Sequence, residues 1–185
     1  NEKEWPAIDS THLIVDSKQM LKLEKQMFSR GMPEEALMEK AGIQISKWLL
    51  KRKSLLKEGI ILVIGPGHNG GDGAVIAREL FLRGYLIKVW CPFPLKKTLT
   101  INHVNYLTSI GVQKLTEAPN PKGKELWIDA VFGNNQKRKV NDELIDLLNK
   151  KFDNPYGHVI SVDVPTGLCP NKGKPFSLNA AKANY

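Results

Sequence analysis

The stretch "ILVIGPGHNGGDGAVIARELFLRG", residues 61–84, decides the fold, because an unbroken apolar run gives way to a glycine-rich turn and then restarts with apolar residues at helical spacing. A strand without polar alternation is buried on both faces, and a strand that feeds a helix through a tight turn is the unit of a parallel sheet. The same turn poses a chemical question. Asp72 stands beside the expected helix start, where a phosphate-binding helix favours no further negative charge.

Working outward, apolar runs at 86–91, 126–128 and 159–162 alternate with helical patterns near 74–83, 100–110 and 141–152. This alternation predicts an α/β fold, a three-layer αβα Rossmann-like sandwich with a mainly parallel central sheet. In such a sheet ligands sit beyond the carboxyl ends of the strands, where strand order reverses. Upstream, Asp16 or Ser17 is placed to cap a helix on which Met20, Leu23 or Glu24, and Met27 recur, with Gly31 as its stop. A second helix follows Pro33 and presents Leu37, Ala41, Ile45 and Trp48 as a packing face.

A chain of 185 residues with 42% hydrophobic and 25% charged residues suits one globular domain, preceded by a polar leader at 1–15. The net charge of +8 is spread along the chain, which describes a solvated surface rather than a nucleic-acid face. Cys91 and Cys169 lack metal or redox spacing, and no apolar run is long enough for a signal core or a membrane span. A reducing, cytoplasmic setting is the expectation.

Gly65, Gly67 and Gly70 satisfy G-x-G-x-x-G after a strand, so a dinucleotide-binding dehydrogenase is one reading. The next apolar run, "YLIKVWCPFP", ends without the acidic residue that would hold an adenosine ribose, and no Gly-Lys-Ser/Thr follows for a phosphate loop. Asp72 is readable as a helix cap. Gly70, Gly71 and Gly73 each cost roughly 0.5–1 kcal/mol relative to alanine where no special backbone is needed, so a ligand pressed against main chain is expected there.

Three ordered motifs carry a resemblance. "GPGHNGGDG" is similar to the G-P-G-N-N-G-G-D-G signature of the NAD(P)HX epimerase family, the YjeF N-terminal domain. "ALMEKAG" resembles that family's upstream helix, "IDAVFGNNQKRKV" its D-A-hydrophobic-F-G-T-G loop, and "VISVDVPTGLCPNKG" its D-hydrophobic-P-S/T-G loop. The resemblance implies an isomerase that interconverts the R and S epimers of NADHX or NADPHX, with one potassium ion per subunit. It implies Asn69, Asp129 and Thr166 as side-chain ligands of that ion, a donor set of oxygens suited to a hard cation. It also implies a substrate site lined by His68, Asn69, Gly70, Gly71 and Asp72 from the first motif. Gly133, Asn134, Asn135, Gln136, Lys137, Arg138 and Lys139 from the second motif, with Asp163 from the third, would complete the lining. Asp163 is the first candidate for general acid and base, and Asp72 the second.

The same resemblance implies a homodimer and a hydrate dehydratase, fused or separate, and it suggests that 1–185 stops short of the family's last strand and helix, leaving a sheet edge bare. His68 and Asn134-Asn135 depart from the family pattern, where asparagine and Thr-Gly are usual. Those departures keep a silent binding or scaffold domain open as the alternative.

Overall fold

Ile60–Ile64, strand β1, has every side chain buried, as an apolar run without alternation requires. Ile60, Leu62 and Ile64 enter one core, and Ile61 and Val63 enter the other, so this strand is the seam between two hydrophobic layers. The computed structural model describes residues 15–137 and 139–185.

Helices α1 (Ser17–Ser29) and α2 (Glu34–Leu50) and a short 3-10 turn precede β1. Then follow α3 (His68–Phe81), β2 (Ile87–Trp90), α4 (Thr98–Ser109), β3 (Gln113–Leu115), β4 (Leu126–Ala130), α5 (Asp142–Phe152) and β5 (Val159–Ser161). The five strands form one sheet in the order β3-β2-β1-β4-β5, with all pairs parallel. A two-stranded antiparallel hairpin, β6 (Leu168–Cys169) with β7 (Lys174–Pro175), lies outside it.

The expected αβα layering is present. Residues of α2, α3 and α4, among them Leu49, Ala77, Leu80 and Leu107, cover one face, and Leu144, Ile145 and Leu148 of α5 cover the other. The chain winds outward from β1 to β2 and β3, then returns to the far side of β1 through β4. Order therefore reverses between β1 and β4, and the loops leaving those two strands are the glycine turn and the 131–136 loop.

Several expectations are corrected. The helix after β1 begins at His68, six residues before the apolar periodicity suggests, with Gly67 as an N-cap lacking a side-chain bond. Asp72 is thus the helix's fifth residue and no cap. The glycines are explained by the protein's own packing: a Cβ on Gly65 would strike the Val131 carbonyl, on Gly70 the Gly65 carbonyl, on Gly71 Met38, and on Gly73 the Ala130 Cβ. None of the four has a positive φ. Close approach to the strand ends and to Met38 of α2 by itself demands these residues.

On α2 the buried line runs through Met38, Gly42, Ser46 and Leu49, one position on from the expected line. The small residues let the helix approach α3 so closely that a Cβ on Gly42 would collide with Val75. On α1, Asp16 makes the capping box with Gln19, but Met20 and Met27 are exposed. The expected bare edge of β5 is also partly paired, since Asn184 N–H donates to Val159 O at 2.8 Å and Ser161 N–H to Tyr185 O at 3.0 Å. The leader at 1–14 lies outside the described residues.

Candidate active site

Asp129 ends β4 with no solvent exposure, and its carboxylate is the hub of the strand ends. Oδ1 accepts from Thr166 Oγ1 at 2.7 Å and from Val131 N–H at 3.2 Å. Oδ2 accepts from Thr166 N–H at 2.9 Å and from Ser161 Oγ at 3.1 Å. Burial raises the Asp129 pKa, and these four donors pull in the opposite direction. All four are neutral groups. Thr166 is itself fully buried, so Asp129 joins the β4 end to the loop after β5.

Gln136 makes the same junction from its side chain. Its Nε2 donates to Phe132 O at 3.3 Å and Pro165 O at 3.1 Å, and its Oε1 accepts from Gly167 N–H at 2.6 Å. Its amide is fully engaged within the protein. It was expected to line the substrate site, and in this structure its amide ties two loops together. Thr100 Oγ1 likewise holds the Gly67 carbonyl at 2.8 Å and fixes the start of α3.

Above this floor lies a second carboxylate group. Asp163 is the only non-glycine residue with positive φ among the described residues, at 68°. That conformation turns its side chain back toward the 131–136 loop, where Oδ2 accepts from Asn134 N–H at 2.5 Å. Asp163 is exposed as a residue, yet packing around its carboxyl raises its pKa, against the Asn134 bond that lowers it. Asp72 on α3 is pushed up to about 7, first by burial, then by the charges of Asp163 and Glu24. Glu24 of α1 is also raised, by burial and then by Asp163 and Glu34, with His68 opposing.

Asn69 and Gly133 join the two levels. A Cβ on Gly133 would lie 2.6 Å from Asp163 Oδ2 and 3.2 Å from Asn69 Cγ, so only glycine leaves both side chains in place. Asn69 Nδ2 is buried without a hydrogen-bond partner, a costly state for an amide unless a ligand or a turned amide resolves it. At the rim, His68 Nδ1 lies 3.0 Å from Glu34 Oε1.

The structure brings His68, Asn69, Asp72, Gly133, Asn134 and Asp163 to one mouth, with Asp129 and Thr166 as its floor. Gly70 and Gly71 are buried against the protein itself. Asn135 and Lys137 are exposed, Lys139 pairs with Asp142 at 2.6 Å, and Arg138 lies outside the described residues. Sequence reasoning placed Glu24 on a packing stripe and Ser17 at a helix cap without tying either to the site, and it gave Ser161 and Glu34 no part in it. The only signal for Glu24 was a charge at a position shared with an apolar stripe.

Known proteins with this arrangement agree in fold and in sequence. The crystal structure of yeast ynu0, YNL200c, superimposes with a TM-score of 0.81 at 28% identity, covering 92% of this chain and 77% of that one. A bifunctional NAD(P)H-hydrate repair enzyme Nnr from Synechocystis sp. is 40% identical over 162 residues, 87% of this chain and 31% of that protein. The NAD(P)H-hydrate epimerase of Oenococcus oeni is 27% identical over 166 residues, covering 88% of this chain and 79% of its own length. The chain spans about a third of the length of the bifunctional relatives it matches, 31%, 34% and 32% in three of them. A family model described as the YjeF-related protein N-terminus matches residues 34–185, from the first residue of α2 through all three motifs, and the chain belongs to that family.

Proposed function

We propose that this chain is an NAD(P)H-hydrate epimerase, an isomerase that interconverts the R and S epimers of NADHX and NADPHX. The observation that carries this reading is the pair Asp72 and Asp163, two carboxyls with raised pKa values at the mouth where strand order reverses. The printed function of the Oenococcus oeni relative, which this chain covers for most of its length, supports it.

The hydrated ring carries a hydroxyl on carbon 6, next to the ring nitrogen. Protonation of that hydroxyl lets the nitrogen lone pair expel it as water, leaving an iminium-like ring. Return of water from the other face, with loss of a proton to a base, inverts the centre. Asp72, poised near neutrality, suits the acid role, and Asp163, whose carboxylate Asn134 N–H supports, suits the base. Because the reaction is reversible, the two exchange roles with direction.

The Asp72 charge also ceases to oppose a diphosphate. Half neutral near pH 7, it leaves the uncapped start of α3 open to an anion, with His68 and Asn69 as the first residues there.

Potassium fits the floor. Asp129 is a fully buried carboxylate whose partners are all neutral, and a monovalent cation would balance it without the charge of a divalent ion. Turning the Asn69 amide places its oxygen where Nδ2 now has no partner, so that Asn69 could supply a further hard ligand. Bound potassium supplies a fixed positive charge to an otherwise acidic site.

The partners that accompany this reading are a second copy of the chain and a hydrate dehydratase. The bifunctional names of the larger relatives support the latter. Two free cysteines, Cys91 and Cys169, accord with a reducing cytoplasm, and among the described residues no helix is long and apolar enough to cross a membrane.

The deciding experiment follows conversion of purified R-hydrate to S-hydrate by chromatography, in potassium or in tetramethylammonium. Conversion that requires potassium is expected. No conversion in either salt overturns the epimerase reading, and equal conversion in both overturns the ion.

A further inference from the structure

The chemistry above leaves one carboxylate at the mouth without a task, Glu24. It sits on α1, a helix with no buried side chain. The exposures along α1 nevertheless follow the helical period: Ser17, Leu21, Glu24 and Phe28 are half-buried, whereas Lys18, Met20, Lys25 and Met27 are exposed. The inward face is therefore the one that carries Glu24, and the methionine stripe points away.

The first residue of that face is held to the 131–136 loop and to the turn of the β6–β7 hairpin. Ser17 Oγ lies 2.8 Å from Oδ1 of Asn134 and 2.8 Å from Oδ1 of Asn171, and Ser17 N–H donates to Asn171 at 2.9 Å. Asn134 is the residue whose own N–H holds Asp163. Two helical turns further on, about 10 Å along the axis, the same face brings Glu24 into the field of Asp163 and Asp72. The charged groups acting on this place are Glu24 from α1, Asp163 after β5, Glu34 at the start of α2 and His68 at the start of α3.

We propose that Glu24 is a positioning residue for the epimerisation, delivered by α1 acting as a roof that Ser17 latches onto Asn134 and Asn171. The proposal rests on the epimerase reading for its consequence in turnover, while the placement of Glu24 stands apart from it. A third negative charge holds the proton on Asp72 at neutral pH and favours the positive charge that develops on the ring when the protonated hydroxyl leaves as water. Because α1 is attached through the Ser17 contacts and side chains that are at most half-buried, among them Leu21 and Phe28, and contributes none to the sheet's core, lifting it removes that charge without disturbing the sheet.

The test uses the full chain and the variants Glu24→Gln and Ser17→Ala, checked for unchanged circular dichroism. The carbon-13 titration of the Asp72 carboxyl reads the charge directly, and the alkaline limb of the pH–kcat profile reads its use. In Glu24→Gln both are expected to move down by about half to one pH unit, the loss of one like charge acting on Asp72 at intermediate dielectric. Ser17→Ala should move them in the same direction by less and speed tryptic cleavage at Lys18, Lys22 and Lys25. An Asp72 midpoint and alkaline limb that coincide with wild type in Glu24→Gln overturn the proposal. A midpoint that moves in a chain with no epimerisation at any pH keeps the placement of Glu24 and removes the epimerase reading instead.

Discussion

Asp129 near the end of β4 and Asp163 just after its parallel neighbour β5 lie at the same end of the sheet, yet they live in opposite surroundings. Asp129 is sealed from solvent and accepts four hydrogen bonds from Thr166, Val131 and Ser161. Asp163 is exposed, accepts one from Asn134, and holds a left-handed backbone to do so. Residue type is the same, and the number of fixed donors differs. A carboxylate held by four fixed donors builds the floor, whereas one held by a single donor can take and return a proton.

Removing the carboxylates of the mouth should break activity most. Asp72→Asn and Asp163→Asn are each expected to lower kcat for hydrate epimerisation by about 10²–10⁴-fold, the usual weight of a general acid or base. Asp163→Asn should leave the urea midpoint within about 1 kcal/mol of wild type, as an exposed side chain with one bond allows. Unchanged epimerisation by Asp163→Asn would exclude its proton-transfer role.

The floor should respond in the other currency. Asp129→Ala strands the N–H groups of Val131 and Thr166 and two hydroxyls in a closed interior, and should lose about 3–5 kcal/mol in urea unfolding. A loss below about 1 kcal/mol would erase the distinction between floor and mouth.

Much of the frame was legible because it depends on local pattern. The strand at Ile60–Ile64 and the parallel winding followed from apolar runs and helical spacing, and Asn141 caps α5 where the pattern placed its start. The start of α3 was not legible, because three glycines, Gly70, Gly71 and Gly73, imitate a loop while tertiary packing makes them helical, each filling a place where a Cβ would strike the chain. The faces of α1 and α2 were displaced by one residue for a related reason. On α2 the closest approach selects Gly42 and Ser46 over larger neighbours, and on α1 the inward face mixes Leu21 and Phe28 with Ser17 and Glu24 while Met20 and Met27 stay exposed, so the methionine spacing pointed to the wrong side. Gln136 shows the limit for the site itself: a polar residue inside a functional motif, which the fold uses as a clamp.

Asp72 sharpens the comparison through pH. Its folded pKa of about 7 stands above the ordinary 3.8, so the unfolded chain ionises first as pH rises. Below about pH 4 both states hold the proton and stability is full; it falls through the window to about 7 and is then level. Asp72→Asn should therefore match wild type near pH 4 and exceed it by about 2–4 kcal/mol at pH 8, read from urea midpoints across pH. A variant that gains nothing at pH 8 would mean that the carboxyl is not held in an unfavourable place.

Gly133→Ala is the smallest change and the most selective. Its backbone needs no positive φ, so the strain comes only from the new methyl, 2.6 Å from Asp163 Oδ2 and 3.2 Å from Asn69 Cγ. Both neighbours are side chains at the mouth, and the floor contacts of Asp129 involve neither. Asp163 is exposed and can swing outward, so the urea midpoint should stay within about 0.5 kcal/mol. Turning it away from Asn134 N–H misplaces a proton-transfer group, and kcat should fall about tenfold or more with KM changed far less. If stability falls while kcat holds, Gly133 belongs to the packing of the floor, and the boundary drawn between these two carboxylates lies one loop too low.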